Sequence, residues 1–200
     1  MLLNPAMKIV KRDREQALIS LVPLPNGPIL TNKPLVTERL LHSVPRFTMS
    51  PILSVSTKIE IAASPAVVRS VFLDFARYAQ WQPGWNIQPA DASKQPLDLK
   101  AGDSLKVNMN GNVHHPVVVE NSPESFQWEG SLFGLAKGVH QFHFTPSETN
   151  PGSTTFTQGE DFRGLLITLS SPWWNSRKFD MGPWDKFNAD LKNEAEKSSK

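Results

Sequence analysis

Residues 52–75 read ILSVSTKIEIAASPAVVRSVFLDF, a strand pattern that runs directly into a helix pattern. Over 53–61 every second residue is apolar with one exception, which is the period of a strand with one buried face. Ser64 then supplies an N-cap, and Pro65 suits the first helical turn. The apolar residues that follow recur at helical spacing, so a half-buried strand and then an amphipathic helix over 65–75 are predicted.

The chain after this stretch carries a second short helix and then a series of strands. The short helix is predicted at about 76–80, and Pro83-Gly84 ends it. Turn residues such as Asn110-Gly111 separate the strands, and the close spacing favours an antiparallel meander over βαβ units. The predicted strands are 86–90, 103–110, 112–120, 125–133, 138–145 and 153–163.

The end of the chain is predicted to be helical. The residues at 180–183, Asp-Met-Gly-Pro, have the pattern of a helix start, and an apolar stripe of Trp184, Phe187 and Leu191 follows. A shorter helical piece is predicted over 172–179. The order of elements therefore predicts an α+β domain. Its strongly bent antiparallel sheet of about six or seven strands would wrap around a long C-terminal helix and enclose a space.

The first 50 residues differ from the rest in composition. They hold six prolines and seven of the 21 basic residues, but only three of the 19 acidic ones. Prolines at this density exclude long helices and interior strands, so 1–50 is predicted to be a mostly disordered extension of a domain over 51–200. The other 150 residues carry 14 basic and 16 acidic side chains, which argues against a nucleic-acid-binding surface.

Several functional classes lack their motifs in this sequence. Because there is no cysteine, disulfides, iron–sulfur clusters and a thiol nucleophile are excluded. Neither a phosphate-binding glycine loop nor a Gly-x-Ser-x-Gly elbow occurs, and no apolar run approaches the ~20 residues of a membrane span. We therefore expect a monomeric, cytoplasmic protein without a cofactor, and the basic N-terminal cluster keeps a mitochondrial location as the alternative.

Short strings along the chain resemble the SRPBCC superfamily, which includes START domains, Bet v 1-like proteins, and polyketide cyclase/dehydrase-like and CoxG-like proteins. They follow the family's order between about 51 and 197, and the resemblance is strongest to the last two groups. No single string is specific, so their order and spacing carry the resemblance. The strings are IEIAASP at 59–65, YAQWQP at 78–83, LKAGD at 99–103, GVHQFHF at 138–144 and EDFRGLL at 160–166.

The resemblance implies a helix-grip fold with two short helices after the first strand and a cavity between the sheet and the last helix. The implied function is to bind or carry a hydrophobic or aromatic small molecule, such as a lipid or a polyketide. Two alternatives stay open because one fold hosts many functions. They are a cyclase/dehydratase-like enzyme and a protein-interaction module of the chaperone-cofactor type.

Strand alternation selects the polar side chains that would face this cavity. His140 shares a strand face with Phe142, and Gln158 shares one with Glu160. On adjacent strands, His140 and Glu160 could act as a general acid and base. The plainer interpretation is a polar pair that holds the sheet together or orients a ligand. By analogy with the family, His114 is also expected to face the interior.

The predicted ligand-binding set joins these polar groups to aromatic side chains of the strands and helices. A metal site from the two histidines and the glutamate is not expected, because their spacing matches no metal-binding motif. The adjacent Trp173 and Trp174 would lie at the cavity mouth or contact a membrane surface. The set is Phe72, Trp81, His114, Phe126, Trp128, His140, Phe142, Gln158, Glu160, Phe162, Trp184 and Phe187.

Overall fold

A computed structural model of the chain describes residues 52–174 and 180–199, with the backbone alone at 171–174. The extension predicted over 1–50 lies outside these residues. The strands are β1 (Leu53–Ile61), β2 (Trp85–Pro89), β3 (Leu105–Met109), β4 (Asn112–His114), β5 (Val117–Asn121), β6 (Ser125–Leu132), β7 (Ala136–Pro146) and β8 (Thr154–Arg163). The helices are α1 (Pro65–Leu73), α2 (Tyr78–Trp81), α3 (Leu165–Trp174) and α4 (Gly182–Ser198), with 3-10 turns at Phe75–Arg77 and Pro96–Asp98.

The strands form two antiparallel sheets. The larger has the order β1-β8-β7-β6-β5, and the smaller has the order β2-β3-β4. Backbone hydrogen bonds join them where β3 meets the start of β5. Leu105 N–H donates to Pro116 O at 2.9 Å, and Val118 N–H donates to Asp103 O at 2.8 Å. The predicted α+β helix-grip architecture is confirmed, because α4 packs against β1 and α1.

The strand predicted over 112–120 is two strands that belong to different sheets. β4 ends at His114, β5 begins at Val117, and Pro116 lies between them. Proline has no N–H to donate to a sheet ladder, and the break interrupts the alternation of faces along the chain. His114 is therefore exposed on the edge strand of the smaller sheet, and the prediction that it faces the interior is wrong.

Two helix boundaries also differ from prediction. α1 ends at Leu73, two residues before the predicted end, and a 3-10 turn follows it. α3 begins at Leu165, well before the helical piece predicted over 172–179, of which 175–179 lie outside the described residues. Gly164 makes the turn from β8 into α3 with a φ of 112°, a conformation that favours glycine.

Phenylalanine rings form the centre of the core between the larger sheet, α1 and α4. Phe72 of α1 lies at their centre, with ring centroids of six other phenylalanines 4.6 to 6.4 Å away. Such pairs add to the stability that comes from burial of the rings alone. This part of the concave face is therefore packed core. The six are Phe75, Phe126, Phe142, Phe144, Phe156 and Phe187.

Polar contacts fix the last helix against β1. α4 begins at Gly182, and Pro183 lies in its first turn, as the pattern at 180–183 predicted. Further along, Lys192 Nζ donates to the backbone oxygen of Glu60 at 2.6 Å. Among the described helices, none has the length and apolar composition that a membrane crossing requires.

Candidate functional site

One row of concave-face residues carries the polar groups of the site. Trp128 of β6 lies opposite His140 of β7, and His140 lies opposite Glu160 of β8. In the next row towards the β6–β7 turn, Gly130 lies opposite Gly138. Side chains point to the same face at every second strand position, so register and alternation together assemble this cluster.

The imidazole of His140 is enclosed by aromatic rings. It stacks on Phe142 at a centroid distance of 4.6 Å and an interplanar angle of 15°, and Trp184 of α4 lies 4.7 Å away. Trp128 is 5.3 Å from it. Only 3% of the His140 side chain is exposed. A ligand therefore has little access to this ring.

Burial determines the protonation state of His140. Loss of hydration lowers the pKa of the imidazole to about 3, so the ring is neutral near pH 7. The amide Nε2 of Gln158 lies 2.9 Å from His140 Nε2 and donates to it, which places the ring proton on Nδ1. Nδ1 is the ring nitrogen nearer to Glu160, at 4.0 Å from Glu160 Oε2.

Glu160 is the accessible polar group of the cluster. Its side chain is 22% exposed, and burial raises the pKa of its carboxyl to about 7. A distance of 4.0 Å to a neutral imidazole is neither an ion pair nor a hydrogen bond. Near pH 7 the carboxyl can therefore donate or accept a proton, while His140 keeps its single ring proton.

The two glycines beside this row leave space on the concave face. A Cβ at Gly138 would collide with Oε1 of Glu160, so the carboxyl occupies the volume that a side chain at 138 would fill. A Cβ at Gly130 would meet no atom within 4 Å. Open space therefore lies over Gly130, in the row next to Trp128, His140 and Glu160 towards the β6–β7 end of the concave face, and Phe162 lies against Gly138 in the same row.

The structure divides the predicted ligand-binding set into three groups. Five residues come together at this end, namely Trp128, His140, Gln158, Glu160 and Trp184. Phe162 joins them as the cross-strand partner of Gly138. Four others belong to the packed core, namely Phe72, Phe126, Phe142 and Phe187. Trp81 packs against Tyr78 and Phe187 at the α2 side, and His114 lies on the exposed edge of the smaller sheet.

His114, His140 and Glu160 do not meet, so they cannot share a metal ion. His114 belongs to β4 of the smaller sheet, whereas the other two are cross-strand partners in the larger one. Within 52–174 and 180–199, no three histidine, aspartate or glutamate side chains have a metal-binding arrangement. Trp173 and Trp174 lie at the end of α3, where the side chains are outside the described part of the chain.

Residues that sequence reasoning missed include Asn188 and the two glycines. Asn188 of α4 is 1% exposed, and neither polar atom of its amide has a partner among the described residues. Its spacing from Trp184 and Leu191 is helical and could have indicated an inward position. Gly130 and Gly138 follow the same alternation as Trp128 and His140, which could have indicated a gap in the lining.

A separate depression of about 420 Å³ lies between β2 and the 3-10 and α2 segment before it. Tyr78, Trp85, Ile87 and Lys94 are among its lining residues, and neither His140 nor Glu160 is. It is distinct from the site on the concave face.

A model of the family described as polyketide cyclase/dehydrase and lipid transport matches residues 53–190. The chain belongs to this family. The matched range runs from β1 into α4 and so includes every element that builds the site. No curated protein is significantly similar to the chain. Membership supports, in general terms, binding of a hydrophobic ligand or a cyclase-type role.

Solved structures share the fold at low sequence identity. A norcoclaurine synthase from Thalictrum flavum is 12% identical, with 76% of this chain and all of that chain covered and a TM-score of 0.53. A START superfamily protein from Mycobacterium smegmatis is 17% identical over 72% of this chain and 98% of its own, with a TM-score of 0.48. An aromatase/cyclase from a Streptomyces species is 12% identical over 74% and 95%, with a TM-score of 0.48. At 12% identity, the likeness to the norcoclaurine synthase shows the fold alone.

Proposed function

We propose that this protein binds a hydrophobic or aromatic small molecule, lipid-like or polyketide-like, at the glycine end of the concave face. The observation that carries the proposal is the open space over Gly130, beside Trp128 and the carboxyl of Glu160. Ligand sites are typically apolar, with a few polar groups that fix orientation. Here Trp128 and Trp184 supply the apolar wall, and Glu160 supplies the polar group.

Native mass spectrometry of the full chain, purified without detergent, tests this proposal. We expect an excess mass of bound small molecule that is lost on denaturation. Binding of N-phenyl-1-naphthylamine, a neutral fluorescent probe of apolar sites, provides a second readout for chain that has been stripped of ligand. A bare mass together with no probe binding would contradict the proposal.

A side chain placed in the open space locates the site. Gly130→Leu projects its side chain onto the concave face, where a Cβ meets no atom within 4 Å, so the fold should persist and probe affinity should fall. Lys106→Leu is the control, because it adds the same side chain at an exposed position of β3. Equal probe affinity in both variants would mean that the probe binds elsewhere.

A cyclase/dehydratase-like activity is the second candidate, and the state of Glu160 favours it. A general acid or base works best when its pKa is near the working pH, and burial raises the pKa of this carboxyl to about 7. His140 is the weaker catalytic candidate because it is enclosed and neutral, so its role in this proposal is to help bury the carboxyl.

Turnover separates the two candidates. The ligand identified by mass spectrometry is incubated with the native chain and with Glu160→Gln, and its conversion is followed by liquid chromatography. An enzyme should convert it only with the native chain, while both proteins still bind it. If the native chain leaves the ligand unchanged, the activity is contradicted and the binding function stands.

A further inference from the structure

Two neighbouring segments expose six large apolar side chains at one end of the larger sheet. The turn between β6 and β7 runs into contact with the start of α3, where Leu166 N–H donates to Leu135 O at 3.0 Å. Gly164 fits so closely against the backbone of residues 135 and 136 that a Cβ there would collide with it. The six residues, called the apolar tip below, are Leu132, Phe133, Leu135, Leu165, Leu166 and Leu169.

The exposure of the apolar tip is large. Phe133 is 91% exposed and Leu169 is 69% exposed. Single apolar residues on a surface are common, but a contiguous group of this kind usually marks an interaction site. α3 adds to this pattern, since the sequence LLITLSSPWW over 165–174 has no charged residue.

The charges near the apolar tip are basic. Residues 130–138 and 162–174 include no aspartate or glutamate. They do include Lys137 and Arg163, which are cross-strand partners directly behind the tip. Glu129 binds both cations, with Lys137 Nζ at 2.8 Å and Arg163 Nη2 at 3.4 Å. The two segments that carry the tip, 130–138 and 162–174, therefore hold only positive charges, and Glu129 and Asp161 lie just outside them.

We propose that the apolar tip is a membrane-contact surface, which inserts into the interface of a bilayer that contains anionic lipids. Apolar side chains would enter the boundary between headgroups and acyl chains, and Lys137 and Arg163 would lie at the level of the lipid phosphates. The shape of the tip favours a bilayer over a second copy of this chain. Phe133 protrudes from a turn at φ 51°, and interfaces between copies are broad and closely complementary.

The apolar tip lies close to Gly130, so the membrane contact would bring the proposed ligand site near the bilayer. Leu132 follows Trp128 and Gly130 on the same face of β6. A ligand in the space over Gly130 would therefore lie within two strand positions of the bilayer surface. This position of the ligand rests on the proposed function, whereas the membrane contact itself does not.

Co-sedimentation of the full chain with vesicles tests the proposal. The vesicles are phosphatidylcholine alone and phosphatidylcholine mixed with phosphatidylglycerol. The test variant Phe133→Ser/Leu169→Ser removes two members of the tip. The control Leu97→Ser/Val113→Ser removes two side chains of comparable exposure, 65% and 62%, on other segments. Thermal unfolding and analytical ultracentrifugation of each variant report folding and self-association.

We expect the native chain and the control to bind the mixed vesicles, and the test variant to lose at least about tenfold in partition coefficient. Equal binding of the test variant and the native chain would overturn the proposal. This holds also where salt abolishes the binding of both proteins, since the basic residues of 1–50 would then explain the binding. An absence of native-chain binding to both vesicles would also overturn it. Self-association that the test variant abolishes would assign the surface to a second copy instead.

Discussion

The carboxyl of Glu160 occupies the volume that a side chain at Gly138 would fill. The two residues are on adjacent strands and two positions apart in the β7–β8 register, since Gly138 pairs with Phe162 and His140 pairs with Glu160. The glycine therefore determines where the carboxyl lies, and hence how much water reaches it. Burial of the carboxyl is in turn the cause of its raised pKa.

Gly138→Ala should move Glu160 and destabilise the fold by about 1 kcal/mol, the low end of the cost of overpacking, because the displaced atom is the end of a flexible side chain. Gly130→Ala is the matched control, because Gly130 is the cross-strand partner of Gly138 and has open space at its Cβ position. We expect the control to change the free energy of unfolding by less than about 1 kcal/mol. Urea denaturation measures both. Equal stability of the two variants would show that Glu160 can move aside without cost.

Glu160 should make the stability of the fold fall as pH rises. Its pKa is about 7 in the folded chain and near 4.5 when unfolded, so between these values the folded state holds the extra proton. Glu160 alone therefore costs up to about 3 kcal/mol of stability as pH rises through this window. His140 opposes this, because its pKa is about 3 in the folded chain and near 6.5 when unfolded, so its contribution to stability rises with pH between these values. Glu160→Gln should therefore gain stability relative to the native chain as pH rises from about 4.5 to 7. Chemical denaturation at several pH values measures the free energy of unfolding of both proteins. Parallel curves of this free energy against pH would refute the prediction.

His140 and Gln158 should show strong coupling in a double-mutant cycle. His140→Phe keeps an aromatic ring against Phe142 but leaves the buried Gln158 amide without its partner, at a cost of about 1–3 kcal/mol. Gln158→Leu in the same chain removes the orphaned amide and should recover part of that loss. Unfolding free energies of the two single variants and the double variant give the coupling. Strict additivity would mean that the 2.9 Å contact contributes nothing.

Truncation of Phe72 and truncation of Phe133 should differ most, among the phenylalanines, in how much stability the fold loses. Phe72 is fully buried among six other phenylalanine rings, and Phe72→Ala should cost about 3–5 kcal/mol. Phe133 is 91% exposed, and Phe133→Ala should change stability by less than about 0.5 kcal/mol. Thermal or urea unfolding measures both. A small loss for Phe72→Ala would indicate that the core refills the cavity or was loosely packed.

The parts of the fold that sequence reasoning predicted are governed by local rules. Alternation along β1, the N-cap at Ser64 and the proline at the start of α1 act within a few residues, and each appears where the pattern placed it. The alternation of side-chain faces gave a wrong prediction near Pro116. One chain segment there serves two sheets, and counting alternate residues through the break put His114 on the wrong face.

By itself, the sequence determined the fold class and which faces of β7 and β8 carry His140, Gln158 and Glu160, because side-chain direction along a strand follows a period of two. Only the tertiary structure decided that Phe72 and its neighbours pack as core on the concave face, that Trp184 lies against His140, and that the carboxyl has room at Gly138. These outcomes depend on how distant segments pack. Desolvation, free volume and the resulting pKa values depend on every atom around a group, and no local pattern encodes them.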